Sequence, residues 1–71
     1  MSKNVVANMA GTVIEVLVKP GDTVSEGMDV VTLESMKMLQ PVVAPSAGQV
    51  TAIHVAVGDF VNPDTPLAAI E

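Results

Sequence analysis

Apolar residues in this chain come in short runs, each cut within a few positions by Gly, Pro, Asp or Asn. No apolar spacing of three and four residues persists for the three turns a helix needs. Runs rich in Val, alternating at a period of two and bounded by turn residues, predict strands instead. The segments are 3–7, 12–18, 22–24, 28–34, 39–44, 49–55, 59–61 and 66–70. In the second and sixth, strict alternation puts Ile14, Val16 and Val18, with Thr51, Ile53 and Val55, on the inward face. Val13, Glu15 and Leu17, with Val50, Ala52 and His54, then share the opposite face.

The sequence also matches itself. Shifted by 37 positions, Val5 to Glu34 lies over Val42 to Glu71 without a gap, and 11 of the 30 aligned pairs are identical. Chance would give roughly three in so Val-rich a chain. The copies check each other's turns. Lys19-Pro20-Gly21-Asp22 reads as a type II turn, with Pro presetting φ and Gly taking the positive φ. Its counterpart Ala56-Val57-Gly58-Asp59 lacks the Pro and keeps the Gly, so the conformational need lies at the Gly. Gly11 and Gly48 correspond in the same way, ahead of the longest strands. One copy cannot bury its apolar face alone, so each should cover the other. The expectation is an all-β domain over 1–71. It is a flattened barrel or sandwich of two four-stranded antiparallel sheets related by a pseudo-two-fold axis.

Between the copies, 5–34 and 42–71, lies the seam Ser35-Met36-Lys37-Met38-Leu39-Gln40-Pro41. Its first four residues, 35–38, form the turn that joins two strands at one end of the sandwich. Glu34 and Glu71 are equivalent positions, so the termini should meet at the far end, leaving Lys37 projecting away from them. A cation held out at the seam of a duplicated β unit is a handle for chemistry.

Composition narrows the field. Seventy-one residues make one domain at most. Without Cys there is neither a disulfide framework nor a thiolate metal site, which fits a reducing cytoplasm. No segment has the apolar length to span a bilayer, and the first residues lack the layout of a signal peptide. Eight acidic residues against three Lys argue against nucleic acid as a partner. The single aromatic residue, Phe60, leaves no platform for stacking bases or sugars.

The seam carries a resemblance. Met36-Lys37-Met38 after Glu34 and Ser35 is similar to the attachment signature of the biotinyl/lipoyl carrier domains. The likeness runs from about Val5 to Glu71 and includes Gly21-Asp22, Gly58-Asp59 and the stretch from Ala44-Pro45 to Gly48. It is nearest to free-standing biotin/lipoyl attachment proteins and biotin carboxyl carrier domains. The resemblance implies the same barrel–sandwich fold, with Lys37 at a hairpin tip as the point of covalent biotin attachment. Met36 and Met38 would then form the motif that the ligase recognises, flanked by Glu34 and Ser35. Ser35 stands where the family most often has Ala, a small-for-small change. Leu39 and Gln40 follow where an acidic or amide residue is frequent, so Leu39 alters partner contacts. Lipoyl carriers generally show Asp-Lys-Ala at the motif, so the Met pair favours biotin.

By resemblance, the chain is a non-catalytic carrier. A biotin protein ligase would modify Lys37, and the arm would carry carboxybiotin from a biotin carboxylase to a carboxyltransferase. A free lysine amine is protonated at neutral pH and a poor nucleophile, so the ligase must remove a proton and present an activated acyl adenylate. A monomer suits such a swinging carrier. Two rivals share the fold: a lipoyl carrier modified on Lys37, and an unmodified structural or adaptor module; the bland alternative is that Met36 and Met38 fill the end of the sandwich and Lys37 is an ordinary turn cation. The remaining side chains offer less. His54 is the only His and has no metal partner or triad. Ser25 and Ser46 lack a nucleophile-elbow setting, and Ser35 and Lys37 lack the Ser-x-x-Lys spacing. Asp22, Glu26, Asp29, Asp59 and Asp64 do not follow the alternating-oxygen pattern of an EF-hand.

Overall fold

A computed structural model describes residues 3–71. It contains eight strands: β1 (Lys3–Val6), β2 (Gly11–Val16), β3 (Thr23–Val24), β4 (Asp29–Ser35), β5 (Met38–Val43), β6 (Gly48–Ile53), β7 (Phe60–Val61) and β8 (Pro66–Ile70). All eight expected segments are present, with ends moved by a residue or two. Among the described residues no helix is long and apolar enough to cross a membrane.

The strands form two four-stranded antiparallel sheets, ordered β1-β8-β6-β3 and β5-β4-β2-β7. Moving each strand of one sheet by the repeat length gives the other sheet in the same order. The copies are therefore not stacked one sheet against the other. Each sheet takes two strands from each copy, so neither copy can close its sheet without its twin. The pairing Lys3↔Ile70 joins the first described residue to the last strand.

The core repeats as well. Val5, Ala7, Val13, Val24, Val30, Val31 and Leu33 are buried, and so are their equivalents Val42, Ala44, Val50, Val61, Leu67, Ala68 and Ile70. Val18 is buried and its twin Val55 half-buried. No polar side chain is buried among the described residues, so packing of β-branched and aliphatic groups holds the sheets together.

Strict alternation assigns two pairs of positions, 13/50 and 14/51, to the wrong faces. Val13 and Val50 are buried at 0% and 1%, whereas Ile14 is 36% exposed and Thr51 is exposed. The cause is a β-bulge in each copy. The β2–β4 register passes from Val13↔Leu33 to Glu15↔Thr32, and the β6–β8 register from Val50↔Ile70 to Ala52↔Ala69. Ile14 and Thr51 are the extra, unpaired residues, and each reverses the parity of its strand. Beyond the bulge the expected faces hold. Val16, Val18, Ile53 and Val55 pack toward the core, while Glu15, Leu17 and His54 are exposed. A second bulge pair explains why Val30 and Val31, like Leu67 and Ala68, are consecutive and both buried.

The turns follow the reading from the repeat. Gly21 and Gly58 both have φ of 98°. Asp22 and Asp59 each donate their backbone N–H to the carbonyl three residues back, at 3.0 Å, closing the turn. Their carboxylates complete it, accepting from the amides of Lys19 and Ala56 at 3.0 and 2.9 Å.

Candidate lysine hairpin

The β4–β5 hairpin carries the sequence-predicted site. Leu33 is buried at 0% and pins β4 to the core. Toward the tip the register runs Leu33↔Gln40, Glu34↔Leu39 and Ser35↔Met38. Only Met36 and Lys37 remain to turn the chain. Both have positive φ, 53° and 65°, the signature of a two-residue type I′ hairpin. That turn normally uses Asn and Gly, because a side chain at positive φ crowds the backbone. Two ordinary L-residues there cost on the order of 1–3 kcal/mol each. The local sequence thus works against the local conformation at the position where the handle stands.

The surroundings leave the handle free. Met36 is 92% exposed and Met38 62%, so neither fills the end of the sandwich. Lys37 and Glu34 are exposed, and Ser35 is half-buried at the base of the turn. None of the side-chain hydrogen bonds among the described residues engages Lys37. A group joined to its Nζ would meet no wall, which is the fit a covalent arm requires. Below the tip, Gly11 opens β2 where it passes the Glu34 carbonyl. A Cβ on Gly11 would lie 2.8 Å from that oxygen, so the bare glycine lets β2 support the hairpin at close range.

The other candidates stay apart from this tip. His54 is exposed just past the end of β6, a strand of the other sheet. Asp22 and Asp59 spend a carboxylate oxygen on their own turns. No three His, Asp or Glu side chains gather into a cluster among the described residues. Two features escaped the sequence reading. The first is the positive φ at both tip residues: the turn is two residues long, not the four of 35–38, because Ser35 and Met38 pair, and a two-residue hairpin demands that backbone. Asp64 also has positive φ, 69°, and its equivalent is Gly27 at 83°.

With the geometry in place, comparison with known proteins identifies its kin. A family model described as "Biotin-requiring enzyme" matches residues 3–70. The chain is 41% identical over 70 residues to the "Biotinylated protein TB7.3 homolog" of Mycobacterium leprae, covering 99% of both chains. It is 50% identical over 64 residues to the "Biotin carboxyl carrier protein" of Streptococcus mutans, covering 90% of this chain and 49% of that one. The chain thus spans about half the length of that relative, and 9% of the pig propionyl-CoA carboxylase alpha chain that it also matches. Among solved structures, the Kluyveromyces lactis urea carboxylase superposes with a TM-score of 0.93 at 27% identity, over 100% of this chain and 6% of that one. The hairpin, the duplicated sheets and these matches agree: the chain belongs to the biotinyl/lipoyl attachment domain family.

Proposed function

We propose that this domain is a biotin carboxyl carrier and that Lys37 is its attachment residue. The observation that carries the reading is the hairpin itself. It is a two-residue turn held at a conformational cost, with an exposed and unengaged lysine at its tip and exposed methionines on either side. Lys37 supplies its Nζ as the nucleophile. In the ligase it loses a proton and forms an amide bond to the biotin carboxyl carbon, while the bond from that carbon to AMP breaks and AMP leaves. Biotin, once bound, supplies a ring nitrogen that accepts and releases a carboxyl group.

The chain's own residues present and tether. Leu33 and the β2 strand hold the base of the hairpin still, so mobility is confined to the side chain and whatever it carries. Met36 and Met38 offer soft, adaptable contacts that suit more than one enzyme. Tethering keeps the arm at high effective concentration at each site it visits. On this reading the domain is not itself catalytic. Its partners are a biotin protein ligase, a biotin carboxylase and a carboxyltransferase, and it works as a monomer in the cytoplasm.

The test is intact mass of the purified protein after incubation with a biotin protein ligase, biotin and ATP, and separately with a lipoyl ligase, lipoate and ATP. One biotinyl increment mapped to the Lys37 peptide is the expected result. A lipoyl increment alone, a biotinyl group on another residue, or no adduct in either reaction overturns the proposal.

A further inference from the structure

The pseudo-two-fold axis gives this domain an internal control. Both sheets satisfy the same fold and bury the same core, so a difference between equivalent outward positions is not demanded by folding. The sheet that carries the hairpin, β5-β4-β2-β7, differs from its twin in a consistent direction. Ile14, Leu17 and Phe60 are exposed on it, at 36%, 43% and 67%, where the other sheet exposes Thr51, His54 and Thr23. The charge differs too. Glu15 and Asp29 are exposed here, where the twin has Ala52 and Pro66.

Register places these residues on one face continuous with the hairpin. Leu39, Glu34, Thr12 and Phe60 pair directly across four strands, so they form a single outward row next to the turn. Leu39 is itself 61% exposed. Glu15 and the bulged Ile14 follow below that row, and Leu17 lies further along the same strand path. The result is an exposed apolar face with a carboxylate rim, running from the lysine tip down the body of the sheet. Exposed apolar side chains gathered on one face mark an interaction surface.

Resting on the carrier reading above, we propose that this sheet face is the docking surface for the biotin carboxylase that acts on the attached arm. Charge selects the occupant. A second copy of this chain would bring one face bearing Glu15, Asp29 and Glu34 against another bearing the same carboxylates, and each copy carries a net charge of −5. Anionic lipid and nucleic acid are disfavoured for the same reason. An enzyme that binds ATP and bicarbonate holds positive potential around its active-site mouth, which complements a carboxylate rim. Reach separates the carboxylase from the ligase. The ligase must close on the bare Nζ and needs only the tip. An enzyme working at the end of the arm stands off from the tip and gains its hold from the body of the sheet.

The test exchanges the two faces. The variant Ile14→Thr/Leu17→His/Phe60→Thr installs the residues that the twin sheet already tolerates at the same positions. The readouts are thermal midpoint, the rate of biotinylation of Lys37, and ATP- and bicarbonate-dependent carboxylation by the biotin carboxylase of the source organism. Free biotin serves as the reference substrate. The expected result is biotinylation within about twofold of the unaltered chain and a tenfold or greater fall in kcat/KM for carboxylation, carried by KM. Turnover of free biotin stays unchanged. The counter-variant Thr51→Ile/His54→Leu on the other sheet leaves carboxylation unaltered. If the triple variant unfolds, Glu15→Lys replaces it, with the expected fall in kcat/KM diminishing as salt is raised. Unchanged carboxylation in a folded variant overturns the proposal, as does a loss confined to biotinylation, which would assign the face to the ligase. Failure of the unaltered chain to accept biotin instead refutes the carrier reading on which this one rests.

Discussion

Replacing Gly11 with Ala tests how closely β2 must approach β4 beneath the lysine hairpin. A Cβ at this position would lie 2.8 Å from the Glu34 carbonyl oxygen and 3.4 Å from its carbon. The oxygen contact is about 0.6 Å short of ordinary van der Waals separation, and its partner is backbone rather than a side chain that could swing away. The strands must part, at the cost of overpacking, about 1–3 kcal/mol. Ala also restricts the unfolded chain, which returns about 0.4–1 kcal/mol. The clash wins, with a net loss of about 1–2 kcal/mol. In a domain of this size that lowers the melting midpoint by about 5–15 °C.

Gly48 is the equivalent residue in the second copy, where a Cβ would meet the Glu71 carbonyl at 2.8 Å and the Ile70 side chain at 2.5 Å. Gly48→Ala should destabilise at least as much. The two variants part company at the site, because Glu34 lies three residues before Lys37 and Glu71 belongs to the other sheet. Circular dichroism melts of both, with biotinylation rates measured well below either midpoint, make the comparison. Both should melt early, and only Gly11→Ala should accept biotin more slowly. Midpoints within about 2 °C of the unaltered chain would refute the close-approach argument. Equal biotinylation rates would refute the support that β2 gives the hairpin.

Lys37→Arg should melt within about 2 °C of the unaltered chain, since exposed substitutions rarely move stability by more than about 0.5 kcal/mol, and intact mass should show no biotin on it. Gly58→Val should lose about 1–3 kcal/mol from backbone strain alone. Its φ is 98° with no neighbour within 4 Å of a Cβ, so an unchanged urea midpoint would refute the turn geometry. Met36→Asn/Lys37→Gly should raise the melting midpoint by about 4 °C or more, as the strain released, less about 0.5–1 kcal/mol for the freedom of Gly in the unfolded chain, leaves a net gain of about 1 kcal/mol at least, while abolishing modification. A lower midpoint for that variant would show that Met36 and Lys37 are not strained.

The strands were legible because Gly, Pro, Asp and Asn bound most of the apolar runs and because two copies gave the turns inside them a second reading. Parity was not, since a bulge breaks the rule that every second residue shares a face. The repeat nevertheless held the clue. Position 13 and its equivalent 50 are both Val, while 14 and 51 are Ile and Thr, and only an inward position has to stay apolar in both copies. The exchange of strands between copies could not be read at all, because pairing of distant segments leaves no mark on local periodicity. At the site, Lys37 stood out by its place between the copies, with Glu34, Ser35, Met36 and Met38 around it. The left-handed backbone at Met36 and Lys37 was hidden because both residue types argue against it. Asp64 was hidden in the same way, holding a positive φ where the first copy uses Gly27.

That mismatch between residue and backbone constrains how the hairpin works. Amide formation changes Nζ and leaves the peptide backbone alone, so the turn is as strained after modification as before. Stored strain therefore cannot drive the attachment, and its use must lie in geometry. A two-residue turn is the shortest link between β4 and β5, and it leaves the backbone of Lys37 no slack between paired strands. A longer loop would relieve the strain and still expose the amine, but it would let the attachment point wander. For a residue met in turn by different enzymes, a fixed origin for a flexible arm is worth a few kcal/mol of stability. The duplicated core makes that cost bearable, because the packing that folds the domain lies in positions the hairpin does not use.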